Sequence, residues 1–158
     1  MSVILAIDPG PAESGYVLYD PLSRAVLNSG IGKTPEMLPL MRIEDAVVAI
    51  EMIASYGMAV GREVFETCVW IGRLQQSAMR PDDVRLVYRQ QVKLHLCGTP
   101  RAKDANIRQS LIDRLGPQGT KKQPGPTYGV RSHAWAALAV AVTVADQESL
   151  PVTKQEAA

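Results

Sequence analysis

Val3-Ile4-Leu5-Ala6-Ile7-Asp8-Pro9-Gly10 is an unbroken apolar run that ends in a carboxylate and is then stopped by Pro and Gly. A short run of this kind, rich in β-branched residues, fits a strand buried on both faces, and Pro9 can continue neither a ladder nor a helix. Asp8 is therefore expected at the exposed C-terminal tip of a central strand. A second run of the same design follows at Ala46-Val47-Val48-Ala49-Ile50, closed by Glu51. If the two strands are parallel neighbours, Asp8 and Glu51 share the sheet edge at which open α/β sheets keep their sites.

Between these runs, Gly15 to Tyr19 and Arg24 to Asn28 read as two more strands joined by short turns, which suggests an antiparallel meander, and Pro35 to Met41 reads as a short helix. Gly61 to Met79 carries Val64, Phe65, Cys68, Val69, Ile71 and Leu74 at near-helical spacing, and Pro81 stops it. Val84 to Tyr88 is a fifth strand candidate. From Arg89 the chain turns basic and helical, with a break at Gly98-Thr99-Pro100, a helix over Asp104 to Leu115 and a Gly/Pro/Lys loop over Gly116 to Gly129. His133 to Ala145 is apolar around its whole circumference and predicts an interior helix. These elements place one domain over residues 1–146 and leave a polar, disordered tail over 147–158.

Composition narrows the function. At 158 residues and 46% hydrophobic content, one domain can bury about two thirds of its unfolded surface without covalent staples. Cys68 and Cys97 show neither a CxxC spacing nor a His/Cys neighbourhood, so no structural zinc or disulfide framework is indicated. The N-terminus has no basic region before its short apolar run, and no segment is long enough to span a membrane, so a cytoplasmic location is expected. The formal net charge is only +1, which leaves nucleic-acid binding to a local patch. Candidates for that patch are Lys93, Arg101, Lys103, Lys121, Lys122 and Arg131, with Lys121-Lys122 in the flexible loop the best placed. Arg108 and Arg114 read as solvated helix surface, and Trp70 and Trp135 as packing residues.

Two strand-end carboxylates are suited to hard divalent cations, and a pair of such ions can activate water and stabilise the leaving oxygen in phosphodiester cleavage. An Asp before Pro-Gly is also a common turn former. More of the chain decides between these readings. Ile7-Asp8-Pro9-Gly10 with Gly15-Tyr16, then Ala49-Ile50-Glu51, then Arg89-Gln90-Gln91-Val92-Lys93 with Gly98 and Ala102, and last His133 leading into Ala137 to Ala141 occur in the order found in RuvC-type Holliday junction resolvases, which the chain resembles from residue 3 to about 145. The resemblance implies a ribonuclease-H-like five-stranded mixed sheet with helices on both faces. It further implies a homodimeric endodeoxyribonuclease acting on branched DNA such as four-way junctions, with Mg2+ or Mn2+ as cofactor.

On that resemblance the catalytic and metal-binding residues are Asp8, Glu51 and His133, the last as ligand or general acid/base. The segment Met52 to Met58 matches the region that opens the junction centre, which makes Tyr56 a candidate wedge. Two positions depart from the pattern. Ala136, three residues after His133, stands where the family has a carboxylate, and Asp104 stands where it has a Lys. Either Asp104 replaces the missing ligand or the site is depleted, the reading favoured here. The alternative function is accordingly a junction-binding protein with weak or no cleavage. The strand-Asp-Gly loop also resembles that of sugar-kinase ATPases, whose architecture needs two such domains and about twice this length.

Overall fold

The computed structural model describes residues 2–150. Strands β1 (Val3–Asp8), β2 (Glu13–Asp20), β3 (Ala25–Lys33), β4 (Ala46–Met52) and β5 (Arg85–Tyr88) form one sheet in the order β3-β2-β1-β4-β5. β1, β2 and β3 are the expected antiparallel meander, whereas β4 and β5 lie parallel to β1. Among the described residues five α-helices join the sheet: α1 (Met37–Leu40), α2 (Arg62–Ser77), α3 (Arg89–Cys97), α4 (Asp104–Leu115) and α5 (His133–Ser149). This is a five-stranded mixed α/β sheet with helices on both faces.

Side chains alternate across a strand, and that alternation divides the core in two. Ile4 and Ala6 of β1 and Ala49 of β4 join Val92 of α3, Leu111 of α4 and almost the whole length of α5 on one face. Leu5, Ile7, Val48 and Ile50 join Met37 and Met41 with Ile71 and Leu74 of α2 on the other. α5 is buried at every residue from Ala134 to Ala145 except Ala136, as an all-round apolar helix requires. It extends to Ser149, so Gln147 to Ser149 are helical rather than tail. The remainder of the expected tail, residues 151–158, lies outside the described residues.

Two elements differ from the sequence reading for steric reasons. β3 runs past Asn28 to Lys33 because Gly30 does not break it. A Cβ at Gly30 would come within 2.9 Å of the Tyr16 ring, so the glycine makes room for a cross-strand aromatic on the paired residue of β2. In α2 the buried face is Thr67, Ile71, Leu74 and the following Ala78, whereas Phe65 and Val69 are each 63% exposed. Apolar spacing locates the helix but assigns these two residues to the wrong side. Cys68 and Cys97 are free thiols. Among the described residues no helix is long and apolar enough to cross a membrane.

Gly15 on β2 sets how closely α5 can approach. A Cβ there would lie 2.4 Å from the carbonyl carbon of His133 and 2.6 Å from the amide nitrogen of Ala134, both backbone atoms. Gly15→Ala is expected to destabilise the fold by about 1–3 kcal/mol, the usual cost of forcing a methyl into a filled core. Gly72→Ala, on α2 with nothing within 4 Å of the added Cβ, should instead stabilise by up to about 1 kcal/mol through helix propensity. Denaturant unfolding of the two variants checks both signs.

Candidate active site

The paired strands determine the site. Ile7 is in register with Ile50 in the parallel β1/β4 ladder, so Asp8 and Glu51 follow at the same level. Both have the parity of Ala6 and Ala49, and both therefore turn toward the face covered by α3, α4 and α5. After Asp8 the chain is fixed by a small buried network. Gly10 N–H donates to Ser14 Oγ at 3.2 Å, Ser14 Oγ and Thr34 Oγ1 pair at 2.8 Å, and Thr34 Oγ1 donates to the Gly10 carbonyl at 2.7 Å.

Three helices begin at this edge, and the first residue of each enters the cleft: Arg89 of α3, Asp104 of α4 and His133 of α5. Helix N-termini carry partial positive charge and free N–H groups, so the cleft combines buried carboxylates at its floor with electropositive helix ends at its rim. Its volume is about 480 Å3, and Arg108, Trp135 and Ala136 also line it.

Glu51 is only 5% exposed. Its Oε1 accepts from Arg89 Nη1 at 3.2 Å, and its Oε2 is buried with no hydrogen-bond partner. The other Arg89 nitrogen, Nη2, donates to Asp104. Asp8 Oδ2 is 3.1 Å from His133 Nδ1. If Nδ1 carries the proton and donates it to Asp8, the imidazole keeps an unprotonated Nε2.

Burial raises both floor carboxyls. Asp8 is pushed up to about 6, chiefly by desolvation, although the neighbouring Glu51 carboxyl and the Arg89 charge pull it down. Glu51 is pushed up to about 7 by desolvation and by the adjacent Asp8 charge, with Arg89 acting against both. Two carboxylates side by side in a dry floor need either a proton or a cation between them.

The arrangement brings Asp8, Glu51 and His133 together in one cleft. Of the residues expected to contact DNA, Lys93, Arg101, Lys103, Lys121, Lys122, Arg131 and Tyr56 all lie outside the residues lining it. Lys103 directly precedes Asp104 at the α4 N-cap, and Arg131 sits two residues before His133. Lys121 and Lys122 are exposed on a loop closed by the Gly119–Pro124 bridge. Tyr56 is half-exposed in a turn closed by Met58 N–H to the Ser55 carbonyl, with positive φ at Tyr56 and Gly57.

Two cleft residues are not singled out by the sequence. Arg89 follows the tip of β5, a third parallel strand, and the strand-tip rule that locates Asp8 and Glu51 extends to it. Arg108 has the sequence context of solvated surface, yet it stacks on the Trp135 ring at 4.8 Å and donates to Gln118 Oε1 at 3.2 Å. Nothing local in the sequence signals that contact. Arg114 is not free surface either, since it donates to Asp146 at 2.6 Å.

As to known proteins, no protein-family model matches the chain and no curated protein matches it. Solved structures do. Thermus thermophilus RuvC superposes with a TM-score of 0.63 at 20% identity, over 89% of this chain and 92% of that one. The chain has the RuvC fold. T. thermophilus RuvC in complex with Holliday junction substrate matches with a TM-score of 0.65 at 23% identity, over 90% and 92% of the two chains.

The carboxyl pair makes stability pH-dependent with a definite sign. Folded values above the ordinary carboxyl range mean that the native state binds more protons than the unfolded chain between about pH 4 and 7, so this pair's contribution falls as pH rises through that window. In the presence of a chelator, the denaturant midpoint is expected to drop as pH is raised across that window, and Asp8→Asn should make the drop smaller by removing the Asp8 titration and the charge that helps to raise Glu51, leaving the part due to Glu51 desolvation. An unaltered slope in Asp8→Asn would show that folding does not raise the Asp8 carboxyl.

Proposed function

We propose that the chain is a divalent-metal-dependent endodeoxyribonuclease that cuts phosphodiester bonds in branched DNA such as four-way junctions, acting as a homodimer in the cytoplasm. The observation that carries the reading is the Asp8–Glu51 pair, Glu51 buried and Asp8 largely so, at the tips of adjacent parallel strands, in a fold shared with a junction-bound RuvC.

The donor set fits a hard cation. Glu51 Oε2 is a buried acceptor without a partner, and two mutually repelling carboxyls gain from a positive charge between them. Among the described residues no group of three or more His, Cys, Asp or Glu side chains is gathered tightly enough to enclose an ion, so the rest of the ion's shell would have to come from water and phosphate oxygens. Asp8 and Glu51 would hold the ion, with His133 beside them. When bound, such an ion supplies Lewis-acid stabilisation of a phosphodiester under attack by water.

The protein's own groups do the rest. His133, oriented by Asp8, can take a proton at Nε2 and return it to the leaving oxygen. Arg108, lying over the Trp135 ring, offers a guanidinium to a phosphate, and the helix N-termini at the rim favour the same anion. On this reading Lys121, Lys122, Lys93, Arg101, Lys103 and Arg131 extend phosphate binding beyond the cleft, and Tyr56 would wedge a base step. For the dimer, the outward face of α2 with Phe65 and Val69 is apolar and uncovered in the single chain. Two-fold pairing there would give a two-fold junction one cleft per strand.

Ala136, which lines the cleft without a donor, favours a second reading, a junction binder with little cleavage. Incubation of a synthetic four-way junction and a linear duplex of the same sequence with Mg2+, Mn2+ or chelator separates the two. Cutting of the junction alone, dependent on metal and reduced about 100-fold or more by Asp8→Asn or Glu51→Gln, is expected. Tight junction binding without cutting would favour the second reading.

In the same assay, Lys121→Ala combined with Lys122→Ala should weaken junction binding. The dependence of log K on log salt should flatten by about 0.9 for each phosphate that is no longer neutralised, with cleavage at saturating DNA little changed. An unchanged slope would make the loop ordinary solvated surface.

A further inference from the structure

A site that gathers cations has a cation of its own fixed inside it. Arg89 follows Tyr88, the last residue of β5, whose register opposite Met52 sets Val87 beside Glu51. The Tyr88 N–H donates to Gln91 Oε1 at 2.8 Å, closing the first turn of α3. The guanidinium thus comes from a rigid strand–helix junction, its side chain is 29% exposed, and it bridges Glu51 on the cleft floor to Asp104 at the rim. A planar guanidinium can hold two carboxylates at once, which a lysine ammonium does less well.

The charges in the cleft indicate what Arg89 is for. Asp8, Glu51 and Asp104 are the acidic side chains that line the cleft, and of its two arginines Arg89 is the one that contacts them, since Arg108 is turned to Trp135 and Gln118. The carboxylate oxygens divide into two sets. Glu51 Oε1 and Asp104 are engaged by Arg89, whereas Glu51 Oε2 is buried and unpartnered beside Asp8. A second divalent ion would have to displace the guanidinium from both carboxylates.

We propose that Arg89 is a built-in substitute for a second metal ion. Each protomer then holds one divalent cation through Asp8 and Glu51, while Arg89 keeps Asp104 out of ligation and excludes another ion. The inference rests on the nuclease reading and gives Ala136 a physical sense, because a site with one ion has no second ion for a carboxylate at 136 to hold. Arg89 is on this account a positioning residue for Glu51 and Asp104.

The test counts bound Mn2+ on the full chain by electron paramagnetic resonance, independently of cleavage. The wild type is expected to bind one Mn2+ per protomer. Asp104→Asn should still bind one, with affinity changed by no more than about threefold, because Asp104 is not a ligand. Arg89→Met should bind two, and Arg89→Met with Asp104→Asn should return to one. Arg89→Lys keeps the charge and should stay at one.

Two Mn2+ in the wild type, or loss of Mn2+ in Asp104→Asn, would overturn the role of Arg89 while leaving metal-dependent cleavage intact. No Mn2+ bound to the wild type would remove the metal-dependent reading itself. One Mn2+ in Arg89→Met would likewise overturn the role of Arg89, and should that variant fail to fold, Arg89→Gln, which removes the charge but keeps a hydrogen-bond donor, is counted in its place with the same two outcomes.

Discussion

The parallel pairing of β1 with β4 is the constraint on which the site depends. Ladder register is a property of the backbone and its apolar side chains, and a slip of one residue would move Leu5 and Ile7 out of one core and into the other. The core therefore holds Asp8 level with Glu51 even though the two carboxyls repel and both lose hydration. Left alone, that arrangement would be costly. It persists because apolar packing on both faces of the sheet fixes the register, and the repulsion is relieved by a proton, by Arg89 or by a cation.

α5 transmits the same rigidity to His133. A helix buried on all sides has little freedom to slide, and Gly15 lets its first turn rest directly on β2. The imidazole reaches Asp8 because the two backbones touch. His133 itself stays half-exposed at the cleft mouth, so the group suited to proton transfer has open access to solvent while Asp8 beneath it is 16% exposed and Glu51 is buried. Ser132, immediately before it, takes a positive φ of 48°, a strained conformation for a residue with a side chain, tolerated where the surrounding structure demands the turn.

What can be read from the sequence follows from how local each signal is. Apolar runs ending in Asp8 and Glu51 state strand, burial and edge position in a few consecutive residues, and the interior character of α5 is likewise written in its composition. β3 reads short because Gly30 looks like a breaker until the Tyr16 ring across the ladder is known. Phe65 and Val69 have the right chemistry for a core and face outward nonetheless, since Thr67, Ile71 and Leu74 already fill the surface α2 lays on the sheet. Arg108 against Trp135, and Arg89 between Glu51 and Asp104, join residues 27, 38 and 15 positions apart. No window of the sequence contains those pairs, and only the fold brings them together.

The far ends of the site helices show why such long-range pairs can be held with fixed geometry. α3, α4 and α5 each begin in the cleft, and further along each contributes one member of a second cluster: His95, Arg114 and Asp146. His95 Nε2 and Arg114 Nη1 both lie 2.6 Å from Asp146 Oδ2. Partial burial would raise the Asp146 carboxyl, but His95 and Arg114 outweigh it and hold it below its ordinary range. An anion shared by two donors ties the three helices together away from the cleft, while Val92, Leu111 and Leu138 pack between them. Each helix is thus anchored by apolar packing along its length and by a charged clasp beyond the site, and the first residue of each, Arg89, Asp104 and His133, is presented to the floor carboxyls from a nearly fixed direction. Pre-organised charge of this kind is what a site needs if it is to stabilise developing charge without first rearranging.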